Sequence, residues 1–151
     1  AQGWRETDKP GRRAMFEARI AEGPPPGVLA YRGDAAVGWA QCSPRAEVPR
    51  YNAARMAKPV PGADLEKTWA LICFFIRKDA RGEGLMTALA EAACRLAADH
   101  GAQAVEAAPL EPRRELQWGE GYVGVASALA RAGFEVVERR SDLRPFMRWT
   151  P

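Results

Sequence analysis

The sequence predicts an α/β (α+β mixed) fold, and three features carry that expectation. Trp69–Ile76 (WALICFFI) is the most apolar run of the chain and reads as a strand buried on both faces. Gly84 to Asp99 follows it with Leu85, Leu89, Ala92, Ala93 and Leu96 on one side, the period of an amphipathic helix. Shorter strand-like and helical runs alternate around this pair, which argues for a mixed sheet flanked by helices.

The remaining elements follow from local signals. Arg12 to Glu22 reads as a helix, with Met15, Ala18 and Ile20 as a partial apolar face and Gly23 and Pro24–Pro26 as its stop. Val28–Tyr31 and Ala36–Cys42 read as a hairpin around Gly33-Asp34. Ser43 to Lys67 holds four prolines and reads as a long loop with a helical turn near Asn52–Met56. Gly101 ends the long helix, and Ala104–Ala108 reads as a second buried strand. After a loop from Pro109 to Gly121, a helix is expected over Tyr122–Ala132, then strands at Phe134–Arg139 and Pro145–Trp149.

Composition narrows the function classes. The chain has 151 residues, 47% of them hydrophobic and 27% charged, which suits one domain over 1–151 with a real core. A net charge of +3 is far from the dense basic tracts of nucleic-acid binders, so no nucleic-acid partner is expected. No apolar run reaches the length of a membrane span, so no membrane partner is expected either. Three cysteines without metal spacing and one histidine argue against a zinc site. Free thiols point to a reducing, cytoplasmic setting. The chain opens at Ala1 without methionine, the mark of a trimmed or incomplete N-terminus.

The chemistry concentrates at Arg81-Gly82-Glu83-Gly84-Leu85-Met86-Thr87, between the buried strand and the long helix. A helix N-terminus offers unpaired backbone N–H groups and the positive end of the macrodipole. Glycines let the backbone close on a phosphate, and Arg81 adds a full charge. The plain alternative is a tight strand-to-helix turn with no ligand. A dinucleotide fingerprint needs a third glycine where Thr87 stands, and an acidic residue at a strand end where Glu106 sits within its strand. A P-loop is excluded, because no Gly-Lys-Ser/Thr follows.

Strand, then Arg81-x-x-Gly84-x-Met86, then helix resembles the acetyl-CoA motif of the GNAT acetyltransferase superfamily. Arg131-Ala132-Gly133-Phe134 resembles that family's closing helix and its Gly-Phe entry into the next strand, and Val37-Gly38-Trp39 resembles the strand before the central one. The resemblance covers roughly residues 12–150. It implies a central mixed, splayed sheet flanked by helices. It also leaves no room for the family's first strand and helix within Ala1–Gly11. Either the N-terminus is incomplete or this variant is reduced.

The resemblance further implies acetyl-CoA as co-substrate. The main chain of Phe74, Phe75 and Ile76 is expected to pair with the pantetheine arm and the acetyl carbonyl. Backbone amides of Gly82, Glu83, Gly84, Leu85, Met86 and Thr87, with Arg81, are expected to hold the pyrophosphate. Many relatives protonate the leaving thiolate with a tyrosine four residues before the glycine of Gly-Phe, and that position is Leu129 here. Tyr122 and Ser127 are the substitutes. Glu106 is a carboxylate in an otherwise apolar strand. A buried carboxylate can serve as a base for the amine, or form a buried ion pair with an arginine.

The loop Ser43–Lys67 (Arg45, Glu47, Arg50, Tyr51) and the segment Glu111–Gly121 (Arg113, Glu115, Trp118, Glu120) are expected to flank the cleft. The expected activity is acetyl transfer to a primary amine of a small molecule or peptide by direct attack. The alternatives are a non-catalytic acyl-CoA-binding or regulatory module and a nucleotide-binding interaction domain. Homodimer formation through the final strand at a sheet edge is a further expectation.

Overall fold

The structure is a computed structural model, and it describes residues 6–117 and 119–151. Helix α1 (Lys9–Glu22) is followed by a hairpin of β1 (Gly27–Arg32) and β2 (Ala35–Pro44). A short helix α2 (Pro49–Ala53) lies in the connection to β3 (Thr68–Ile76). Then come α3 (Leu85–Asp99), β4 (Ala104–Ala107), α4 (Ala126–Arg131), β5 (Glu135–Ser141) and β6 (Arg144–Trp149). The six strands form one sheet in the order β1-β2-β3-β4-β6-β5. Only β3 and β4 run parallel, so the sheet is mixed as expected.

Helix α1 starts three residues before the expected Arg12. The Asp8 carboxylate accepts from the Gly11 N–H at 2.9 Å, and Pro10 falls in the first turn, where its missing N–H costs nothing. None of its residues is buried, and Met15 and Ile20 are 44% and 47% exposed. Residues 1–5 lie outside the described residues, so the room before α1 is not described.

Helix α3 packs across β1–β4, but its buried face is rotated from the expected one. Leu89, Ala90, Ala93, Cys94 and Ala97 are buried, while Leu85, Ala92 and Leu96 are half-buried at the flanks. The alanines lie innermost because they let the helix axis come close to the sheet. At Gly38 on β2 a side chain would sit 3.2 Å from Leu89 Cδ1, so that position too is kept small for the helix. Trp69, Leu71, Val105 and Met147 complete this core from the sheet, and Leu129 and Phe134 close it.

The final strand is not available for pairing with a second copy. β6 lies inside the sheet between β4 and β5, and β5 takes the edge. The expected dimer through the last strand is therefore corrected. The order follows from the β5–β6 hairpin returning against β4, where Val105, Glu106 and Ala107 face Trp149, Arg148 and Met147. β5 itself is mostly exposed and carries Glu135, Glu138 and Arg139, charges that discourage edge pairing.

The segment between β2 and β3 covers the sheet face opposite α3. Ala57, Ala108 and Phe146 form a small second core there, with Tyr51 and Val60 packed against it. The helical turn expected near Asn52–Met56 is α2, at Pro49–Ala53, started by Pro49 at its first position. Beneath this segment Arg45 Nε stands 2.6 Å from Glu106 Oε2, both side chains fully buried. Their alignment is too poor for a hydrogen bond, so the contact is chiefly electrostatic. Arg45 also donates to Asn52 Oδ1 at 2.7 Å and to the Ala57 carbonyl at 3.0 Å. Arg148 reaches Glu106 Oε1 at 3.4 Å. Burial pulls the Arg45 guanidinium below its usual pKa, and Glu106 opposes that shift.

Removing one partner of a buried pair leaves an uncompensated charge. Glu106→Ala is expected to lower stability by about 3–5 kcal/mol in urea unfolding. The joint replacement Arg45→Met with Glu106→Leu is expected to regain most of that loss. A cost for Glu106→Ala as small as that of a surface ion pair would show that the pair does not hold this face.

Candidate active site

The site begins where β3 loses its parallel neighbour. Thr68 to Leu71 pair with Ala104 to Ala107, and β4 then ends. At the same point the register with β2 shifts, from Cys42 opposite Leu71 to Gln41 opposite Cys73, so Ile72 is an extra residue. Such a bulge bends the strand and increases its local twist. Past the bulge, β3 is paired on the β2 side alone.

The pairing parity fixes which main-chain groups face the opening. The Arg77 N–H donates to the Val37 carbonyl at 2.9 Å, so residues 77 and 75 point their polar backbone groups toward β2. Phe74 and Ile76 point theirs the other way. Phe75, expected to share in the pairing, instead sits opposite Trp39 with its ring 47% exposed. The Ile76 carbonyl accepts from Arg81 Nε at 3.1 Å, which holds that side chain at the turn.

A cavity of about 700 Å³ opens there. Its walls come from Phe74 and Ile76, from Lys78 and residues 80–82 and 84–87 around the glycine turn, from Leu116, Gln117, Gly119 and Gly121, and from Tyr122, Val125, Ser127, Ala128 and Arg131. Gly82 and Gly84 have φ of +79° and +78°, the left-handed region, and a Cβ at either would meet nothing within 4 Å. Backbone conformation, not crowding, demands glycine at these two positions. The first bond of α3 runs from the Ala88 N–H to the Gly84 carbonyl at 3.2 Å. The amides before it in the first turn have no helical acceptor.

The side chains of this turn are mostly engaged elsewhere. Glu83 lies outside the cavity lining and pairs with Arg32 Nη2 at 2.7 Å through both oxygens. Met86 Sδ accepts from the Val125 N–H at 3.2 Å, and Thr87 Oγ1 donates to the Ala128 carbonyl at 3.1 Å. These two contacts lock α3 against α4. A ligand at the turn therefore meets backbone amides and Arg81, while the side chains of Met86 and Thr87 act as fasteners.

Tyr122 is not on the closing helix, contrary to expectation. It lies in a 3-10 turn over Glu120–Val123, and α4 starts only at Ala126. Gly124 separates the two with φ of +86°, and a Cβ there would stand 2.9 Å from Phe74 Cε2. The chain has to break the helix at this point to pass over the Phe74 ring. Tyr122 and Ser127 both line the cavity. Leu129 is fully buried in the core, so the site has no hydroxyl from that position.

Glu106 lies outside the cavity lining, with its carboxylate between Arg45 and Arg148 on the covered face. Of the two readings of this residue, the structure realises the ion pair. No residue of Ser43–Lys67 lines the cavity, because that segment lies over the second core. The segment Glu111–Gly121 does contribute to the wall. It is closed on itself by Arg114, which holds both oxygens of Glu120 at 3.0 and 2.7 Å. Trp118 of this segment lies outside the described residues. His100 bonds the Leu96 carbonyl through Nδ1 at 2.8 Å and packs on Trp69, outside the lining. Cys73 is half-buried, and burial raises its thiol pKa; Cys42 and Cys94 are buried, with Cys94 pushed up to about 12 by burial.

Lys78, Leu116 and Gln117 line the cavity without having been singled out in the sequence, and Arg131, noted there only within the closing motif, lines it too. Arg131 had a signal, since it follows Ser127 by four residues and shares its helix face.

The model of the acetyltransferase (GNAT) family matches residues 2–116. The chain belongs to this family. It is thus an acyltransferase-family protein, and the acetyl donor of the family is acetyl-CoA. Among solved structures, yncA of Salmonella typhimurium, solved with its cofactor acetyl-CoA, is 18% identical. It aligns over 95% of this chain and 74% of its own, with a TM-score of 0.57. A ribosomal-protein-alanine N-acetyltransferase of Brucella melitensis is 20% identical over 96% of this chain and 80% of its own, at 0.56. An aminoglycoside acetyltransferase in complex with coenzyme A and kanamycin is 17% identical over 81% and 64%, at 0.55. At such identities these likenesses speak for the GNAT fold. No curated protein sequence matches the chain.

Two glycine positions separate conformation from crowding in this GNAT site. Gly84→Ala is expected to cost about 1–2 kcal/mol from the dihedral alone. Gly124→Ala adds the collision with Phe74 and is expected to cost clearly more in urea unfolding. Equal losses would mean that the Phe74 ring moves aside freely.

Proposed function

We propose that this protein is an active N-acetyltransferase that moves the acetyl group of acetyl-CoA to a primary amine of a small molecule or peptide by direct attack. The observation that carries this reading is the continuity of the unpaired edge of β3 with the glycine turn in one cavity. An extended arm bearing amides can pair with Phe74 and Ile76, while the diphosphate behind it meets the amides of residues 82–87. Residues 1–151 are read as one acetyltransferase domain. The free cysteines fit a cytoplasmic setting.

On this reading the Phe74 N–H donates to the thioester oxygen and holds the charge that develops as the amine attacks. The new C–N bond forms as the C–S bond breaks. Tyr122 gives its hydroxyl proton to the departing sulfur, with Ser127 one step further along the same wall as the second candidate. The acceptor's surplus proton leaves to water, because the Glu106 carboxylate is held by arginines on the other face.

A second reading, a non-catalytic acyl-CoA-binding module, is favoured by one observation: Leu129 fills with core the place of the usual tyrosine. Acetyl-CoA consumption with a panel of amines separates the two. CoA-dependent thermal stabilisation without turnover would select the binding module.

Tyr122→Phe is expected to lower kcat about a hundredfold or more, the usual share of a general acid, with little change in acetyl-CoA affinity. If Ser127→Ala shows that loss and Tyr122→Phe does not, the acid is Ser127. Gly84→Glu is expected to abolish CoA binding in calorimetry, by placing a carboxylate at the phosphate turn.

A further inference from the structure

The charge of the cavity is one-sided. Lys78, Arg81 and Arg131 line it, and no Asp or Glu among the described residues does. Elsewhere on the surface, Arg32, Arg77, Arg114 and Arg139 each face a carboxylate at 2.6–2.8 Å. Arg81 is committed to the turn by its bond to the Ile76 carbonyl. Lys78 and Arg131 carry no ion pair among the described residues, although carboxylates are abundant in the chain.

Their placement gives this surplus a purpose. Lys78 stands on the short 3-10 turn that leads from β3 into the glycine turn. Arg131 ends α4, one helical turn beyond Ser127 on the same face. The bond from Thr87 to the Ala128 carbonyl keeps the first half of α4, three residues before Arg131, against the first turn of α3. Both cations thus lie in the wall of the cavity that holds the glycine turn.

The charges can be matched group by group. The diphosphate has Arg81, the amides of residues 82–87, and a helix end worth about half an elementary charge. A phosphomonoester adds about −1.5 to −2 at neutral pH, and Lys78 with Arg131 supplies the balancing positive charge. We propose that Lys78 and Arg131 bind the 3′-phosphate of coenzyme A, and make the site select CoA over 3′-dephospho-CoA. The proposal rests on the acetyl-CoA reading of the cavity.

Calorimetric titration of the full chain with CoA and with 3′-dephospho-CoA tests it. The unmodified protein is expected to prefer CoA by at least about tenfold, the worth of one charge-assisted contact. Higher salt is expected to shrink that preference. Arg131→Gln and Lys78→Gln should each lower it, and the double variant should bring the two affinities together. Affinity for 3′-dephospho-CoA should stay constant throughout. Arg81→Gln should weaken both ligands by a similar factor. Equal binding of the two ligands by the unmodified protein would overturn the proposal while leaving the acetyl-CoA reading intact. So would a preference that survives in the double variant, or a parallel loss of both ligands. Binding of neither ligand would overturn the acetyl-CoA reading along with the proposal.

Discussion

Between Leu71 and Cys73 the central strand gives up its parallel partner, and a bulged Ile72 turns the rest of β3 away. In a continuous sheet the amides and carbonyls beyond that point would pair with β4. Here Phe74 and Ile76 direct theirs into the cavity instead. No strand pairs with this edge, so it is open to a ligand that brings its own amides in extended form. The rest of the site is arranged around that edge. Gly124 lets the chain cross above the Phe74 ring, and Leu110 pairs with Val125 to hold that crossing in place. Met86 and Thr87 then tie α3 to α4, so that the helix end proposed to take the diphosphate has a fixed position relative to the cleft.

The opposite face explains why the opening is approached from one side of the sheet. The segment after β2 lies over Ala108 and Phe146 and carries Arg45 into a dry contact with Glu106. Arg140 stacks on Phe146 at 3.6 Å and donates to the carbonyls of Met56 and Lys58, fastening the same segment from β5. A buried ion pair seldom stabilises more than an apolar pair would. Its best-attested use is to set registry, and here it fixes the start of the segment 45–67 against Glu106. The carboxylate is thereby used for assembly.

Local signals made the fold legible, and non-local pairing accounts for what was missed. β3, α3 and the hairpin were visible as periodicities, and Gly101 and Gly133 marked helix ends where Ala102 and Phe134 now bond back to Ala97 and Leu129. The glycine turn was readable as a strand-to-helix turn because its conformation resides in Gly82 and Gly84 and a helix start. The rotated face of α3 was not readable, since Leu outranks Ala in any periodicity although Ala packs closer. Nor was the order of β5 and β6, which depends on the partner each finds. Glu106 was seen as a buried carboxylate with two possible roles, and its arginine lay sixty residues back in a proline-rich loop, beyond any local pattern.

The same distinction separates the donor side of the proposed chemistry from the acid. Groups that hold the acetyl donor are main-chain atoms of a strand and a helix start, and the sheet positions them. The acid is a side chain, and Gly124 detaches Tyr122 from α4. Its position is set instead by the 3-10 turn Glu120–Val123, which packs against β3 and follows the segment that Arg114 and Glu120 close. On the proposed reading, then, the proton donor is placed by a turn that packs against β3, whereas a tyrosine at position 129 would have been held by α4.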